Sequence, residues 1–126
     1  MHIGDIDIFF TCSLEEASGL LPKIYDLARQ PQTLELQQVQ KLVVSRSKHA
    51  VTIFRVYEGK LFGPPIQIIL SVYSNVAHLL SSFDLDSCAV AYVPASKGVY
   101  CTPRALRAIR YSVNIFDSDL EGVRFW

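Results

Sequence analysis

The sequence is short of cysteine, of net charge and of long apolar runs, and each shortage excludes something. Cys12, Cys88 and Cys101 are an odd number with no CxxC spacing, which argues against a disulfide framework and against a zinc site. They read instead as small apolar packing residues in a reducing compartment. Twelve Lys and Arg against twelve Asp and Glu leave a formal net charge of +0, so nothing global draws the chain to nucleic acid or to an anionic membrane. No apolar run approaches the ~20 residues that a membrane span needs. The opening MHIGDIDIFF lacks a basic stretch ahead of its apolar residues, so no secretory signal is expected. The expectation is a cytoplasmic or nuclear protein, neither secreted nor membrane-bound.

What is present suits one globular domain over 1–126. Half of the 126 residues are hydrophobic, enough for a core without a covalent staple. Ile6, Ile8 and Phe10 alternate with Asp5, Asp7 and Phe9, a strand pattern. Ser13 and Glu16 have capping-box spacing, and a helical apolar pattern follows at Leu14, Ala17, Leu20 or Leu21, Ile24 and Leu27. Pro22 is expected to kink or split that helix. PQTLELQQVQ (31–40) reads as a polar connector. KLVVSRS and HAVTIFRVY read as two strands, EGKLFGPP as a turn and IQIILSVY as the central strand. SNVAHLLSSF reads as a short helix and LDSCAVAYV as a strand. PASKG turns into VYCT, and Thr102-Pro103 opens a last helix. The order β-α-β-β-β-α-β-β-α predicts an α/β or α+β fold with a mixed sheet and helices packed on it. The apolar aromatic end, GVRFW, suggests self-association or a piece of a longer architecture.

Two acidic pairs interrupt this pattern. Asp5 and Asp7 project from one face of their strand, about 7 Å apart by the period-two rise. FDLD brings a second pair, Asp84 and Asp86. Asp is depleted in strands, so an alternating pair there is informative. Two carboxylates on one face can hold Mg²⁺, which takes oxygen ligands and keeps sites open for substrate phosphates. The alternative is a pair of acids solvated at a strand edge.

GDIDIFF resembles the metal-binding strand of the nucleotidyltransferase fold, the DNA polymerase beta-like superfamily. The downstream order of helix, hairpin and PIQIILSVY fits that resemblance. The stretch from IQIILSVY to VYCTPRALRAI is similar to a poorly characterised branch found in large fungal and viral proteins. The resemblance spans about residues 3–115. It implies metal-dependent nucleotidyl transfer, with Asp5 and Asp7 as metal ligands and catalytic acids, Mg²⁺ as cofactor and a nucleotide as partner. It also implies a Gly-Ser turn ahead of the acids, for which this chain has only four residues, and a third acid on a strand like IQIIL, where Gln67 stands. Asp84 or Asp86 is then the candidate to complete the metal site. Both departures point to the other reading, an inactive interaction or regulatory module of the same fold.

SSFDLDSCAVAYV also resembles the nucleophile motif of haloacid-dehalogenase-type phosphatases, in which an Asp-x-Asp pair follows a strand and the first Asp attacks phosphorus. Arg104, Arg107 and Arg110 recur every third residue on the last helix and, with Lys97, could line a phosphate or nucleic-acid surface; a solvated helix face is the alternative. His49 and His78 have no nucleophile beside them, so no triad is expected. The Tyr and Phe residues on strands are read as core.

Overall fold

A computed structural model describes residues 4–30 and 41–115. The connector at 31–40 and the GVRFW end lie outside the described residues. The fold is α+β, with a mixed five-stranded sheet, a two-stranded sheet and three helices among the described residues. The chain divides into two compact units, Met1–Tyr73 and Ser74–Trp126.

The first unit contains β1 (Ile6–Phe10), α1 (Leu14–Arg29), β2 (Lys41–Arg46), β3 (Ala50–Tyr57), β4 (Lys60–Leu61) and β5 (Ile66–Val72). The sheet order is β1-β5-β3-β2, with β4 paired to β3. β5 is interior, as its apolar run predicts; it runs parallel to β1 and antiparallel to β3. Residues in register across a sheet share a face. Ile6, Ile66 and Ile53 form one such row, and Ile8, Ile68 and Val51 the next. All of these but Ile6, which is exposed, belong to the core, which α1 covers with Ala17, Leu21, Ile24 and Ala28. Those four follow an i, i+4, i+7, i+11 stripe. Leu14 and Leu27, expected in the core, are 70% and 60% exposed. The helix starts as predicted: the Ser13 Oγ accepts from the Glu16 amide at 3.2 Å and donates to the Glu16 carboxylate at 3.1 Å.

Pro22 does not split α1, which runs as one helix of 16 residues. The proline removes one N–H, and the ladder bond it deletes lies on the exposed side of the helix, where Ser18 and Pro22 both face solvent, so the freed carbonyl is not left in the core. EGKLFGPP is more than a turn. Glu58 and Gly59 both have positive φ, 50° and 75°, the geometry of a two-residue hairpin turn, and Tyr57 pairs with Lys60 across it.

Arg55 lies on the core side of β3, in register with Leu42, and is 8% exposed. Its guanidinium stacks 5.6 Å from the Phe62 ring centroid, a favourable cation–π geometry, while its Nε has no hydrogen-bond partner among the described residues. Gly63, at φ +70°, makes room for it: a Cβ there would sit 2.8 Å from Arg55 Nη2. Gly63→Ala is therefore expected to cost about 1–2 kcal/mol, from backbone strain plus displacement of the guanidinium. Urea denaturation measures it, and unchanged stability would refute the account.

The second unit contains α2 (Val76–Ser81), a 3₁₀ turn (Asp86–Cys88), β6 (Val90–Val93), β7 (Gly98–Cys101) and α3 (Pro103–Tyr111). β6 and β7 form an antiparallel pair. α3 opens as predicted, with the Ala105 amide donating to Thr102 Oγ1 at 3.1 Å and Pro103 in the first turn. It buries Ala105 and Ala108, and Ala89 just past the 3₁₀ turn is fully buried too; small residues permit that close approach. LDSCAVAYV is a strand only over its last part, because Asp86 takes the first part into the 3₁₀ turn. Two packing expectations also fail here. Cys88 and Cys101 are exposed, and Tyr92 and Tyr100 are 61% and 46% exposed; a two-stranded ribbon has too little depth to bury both of its faces. No helix among the described residues is long and apolar enough to cross a membrane.

Candidate functional site

Asp7 stands in register with Gln67 on β5. Gln67 in turn faces Thr52 on β3, and Thr52 faces Ser45 on β2. A polar row, Asp7-Gln67-Thr52-Ser45, thus crosses four strands on the face opposite α1. Asp5 lies just ahead of β1 on the same face, two residues from Asp7. The Ile6 amide donates to the Pro65 carbonyl at 2.8 Å, which fixes the start of β1 against the start of β5. The sheet therefore presents a rigid base for the acid pair.

Both acids are exposed, and neither has a hydrogen-bond or ion-pair partner among the described residues. Partial burial, and secondarily the negative charge of Asp5, push the Asp7 carboxyl above the usual carboxylate range. Two unpaired carboxylates that repel each other are a ready binding element for a cation. The donor set suits an ion that takes one or two carboxylates and completes its shell with phosphate oxygens and water. An all-protein cage has no support: among the described residues no three His, Cys, Asp or Glu side chains gather to hold a metal.

Gln67 occupies the position beside Asp7 where the nucleotidyltransferase resemblance requires an acid. The register puts Gln67 directly beside Asp7 on the neighbouring strand, so that position is filled by a neutral amide. Thr52 and Ser45 were not singled out from sequence. The polar alternation within their strands was the available signal, but only the strand register places them in line with Asp7.

Asp84 and Asp86 belong to the second unit. Asp84 is exposed. Asp86 is 4% exposed, and both of its oxygens are engaged. Oδ1 accepts from Arg104 Nη1 at 3.1 Å; Oδ2 accepts from Arg107 Nη2 at 3.3 Å and from the Ile115 amide at 3.0 Å. The Ile115 amide, helped by the two guanidinium groups, holds its carboxyl below the usual range despite burial. The carboxylate partners in this structure are thus two arginines and an amide. The pair also follows helix α2 rather than a strand, so the strand-then-acids order of the dehalogenase-type motif is absent.

The arginines of α3 divide accordingly. Arg104 spends its donors inside the unit, bonding Asp86 and the carbonyls of Leu80, at 3.0 Å, and Phe83. It neutralises the C-terminal end of α2 and ties that end to α3. Arg107 reaches Asp86 with a half-exposed side chain. Arg110 is exposed. The three do not form one open basic surface. His78 is likewise spent locally, its Nδ1 accepting the Ser74 amide at 3.2 Å.

Comparison with known proteins adds one strong relation. No curated protein and no solved structure matches the chain. The profile described as Gabija anti-defense 2 family protein matches residues 1–111, which takes in every strand and helix described above. The chain belongs to the Gabija anti-defense 2 family.

Proposed function

We propose that this chain is a nucleotidyltransferase-like domain of an anti-defence protein, and that its Asp5 and Asp7 take up a divalent cation together with the phosphates of a nucleotide. The observation that carries this is the acid pair itself: unpaired, on the free face of a mixed sheet, with Asp7 locked in register beside the central strand. The order β1-α1-hairpin-β5 around it supports the superfamily reading, and family membership supports the anti-defence role. A bound Mg²⁺ would supply charge neutralisation of the phosphates and activation of a hydroxyl nucleophile. The chain's own contribution is to hold two carboxylates on one rigid strand and to align Gln67, through its side-chain amide, beside them.

Gln67 favours a second version of the same reading, in which the domain binds but does not transfer. An amide lacks the charge that a third ligand brings to a two-metal centre. The experiment is a calorimetric titration of Mg²⁺ or Mn²⁺ with a nucleoside triphosphate, joined to an assay for pyrophosphate release. Wild-type release establishes the enzyme. Binding without release, with release gained in Gln67→Asp, establishes the binding module. No metal-dependent binding in either protein refutes the proposal.

A further inference from the structure

Arg55 carries a charge that the fold alone does not need. It lies on the core side of β3 and is 8% exposed, yet no carboxylate pairs with it among the described residues. Glu58, three residues along the chain, does not reach it. Its Nε is sealed from solvent and unbonded. The Phe62 ring, 5.6 Å from the guanidinium carbon, attracts the cation. A ring does not neutralise that charge, and it does not replace the oxygens that five N–H donors call for. Arginine is almost never buried unless paired. A methionine at position 55 would fill the space beside Leu42 without the penalty of a desolvated charge.

Gly63 adds a second, independent observation. It is exposed, and a Cβ built on it would meet Arg55 Nη2 at 2.8 Å and the guanidinium carbon at 3.6 Å. The end of the guanidinium therefore lies directly under a residue that has no side chain. Any other residue at that place would cover it. The Phe62 amide donates to the Arg55 carbonyl at 2.7 Å, which fixes the ring opposite the arginine. Lys60 is exposed and in register with Tyr57, so it stands on the same face of the hairpin as Arg55. It brings a second positive charge to that face.

From this we infer that Arg55 anchors an oxyanion-binding site at the turn between β4 and β5, taking a phosphate group or a carboxylate on the Nη edge of its guanidinium. The planar fork matches two oxygens of either group, and charge-assisted bonds of this kind are the strong ones. The anion supplies the neutralisation that Arg55 lacks. The uncovered spot is the breadth of one missing side chain, which suits a small or terminal group. A nucleic-acid backbone calls for several phosphate contacts, and this face of the hairpin offers Arg55 and Lys60 alone. The site lies on the α1 side of the sheet, opposite Asp5 and Asp7, and the inference is independent of that pair.

The probe is inorganic phosphate, titrated into the full chain at constant pH and ionic strength. A chelator keeps metal from Asp5 and Asp7. An anion that binds only the folded chain raises its melting temperature as the site fills. Wild type should show a saturable rise. Arg55→Met should melt no lower than wild type in chloride, and should show only the unsaturated rise that excluded salts give to any protein. Arg55→Lys keeps the charge and loses the fork, so its half-saturating phosphate concentration should be about tenfold higher or more. Phosphorus NMR gives a readout apart from stability: wild type should broaden the phosphate line and Arg55→Met should not. Acetate in place of phosphate separates the two sources. Saturation by acetate alone assigns a carboxylate, and saturation by phosphate assigns a phosphate group. Parallel behaviour of wild type and Arg55→Met, or no saturation with either anion, overturns the inference. So does an Arg55→Met chain that unfolds in chloride, because the arginine would then serve the fold.

Discussion

The double variant Asp5→Asn/Asp7→Asn should lose metal-dependent nucleotide affinity by about 100-fold or more, since both anionic ligands go at once and even outer-shell changes at metal sites cost 10–100-fold. Calorimetry with Mg²⁺ or Mn²⁺ and a nucleoside triphosphate reads the effect directly. The pH dependence has a definite sign. Asp7 binds its proton more tightly than an ordinary carboxyl, and a protonated carboxyl is no ligand. Affinity should therefore fall as the solution is acidified, beginning at a higher pH than an ordinary Asp would set. Stability moves the other way. A raised folded-state pKa means that ionising Asp7 disfavours the fold as pH rises through that value. Asp7→Asn should then be as stable as wild type near neutrality, or slightly more so. A variant that unfolds would show that the acids serve the fold, and undiminished binding would remove them from the site.

Asp86→Asn should destabilise the second unit by about 3 kcal/mol, the usual cost of breaking a buried ion pair from one side. The partly exposed Arg107 can turn to water. Arg104 cannot do so without releasing the carbonyls of Leu80 and Phe83. Because the folded-state carboxyl is held below its ordinary range, its contribution is present above the unfolded-state pKa and is lost as pH falls through the folded-state value. Wild type should show that acid loss, and Asp86→Asn should lack this component. Guanidinium denaturation followed by circular dichroism at neutral and acidic pH tests both statements. Equal stability of the two proteins at neutral pH would contradict them.

Much of this could be seen in the chain before it was folded. The strand over Ile6–Phe10 announces itself by alternation, the caps at Ser13 and Thr102 by residue type and spacing, and the central position of IQIILSV by its predominance of apolar residues. These signals are local, and local geometry produced them. Asp5 and Asp7 were legible for the same reason. What stayed hidden depends on distant partners. Nothing within FDLDSC tells Asp86 from Asp84, because the arginines that claim Asp86 lie 18 and 21 residues further along. The threefold spacing of Arg104, Arg107 and Arg110 suggests a common surface, yet two of them turn to that one buried carboxylate. Nothing in the sequence around Arg55 tells that it is buried, and only the Gly63 turn and the Phe62 ring show where its guanidinium goes.

The parallel pairing of β1 with β5 has a consequence for assembly. β2 and β3 meet across a short turn, and β5 follows β3 closely, so those three strands can zip together from near neighbours. Ile6, by contrast, must find Ile66 across most of the first unit. Closing so long a loop costs entropy that only a preformed edge can offset. The acid-bearing strand is thus expected to join last, and pulsed hydrogen exchange during refolding should protect β3 before β1. Simultaneous protection would contradict that order. On the proposed function, the rigid base beneath Asp5 and Asp7 is complete only when this last strand is in place, so uptake of a cation there would be coupled to completion of the sheet.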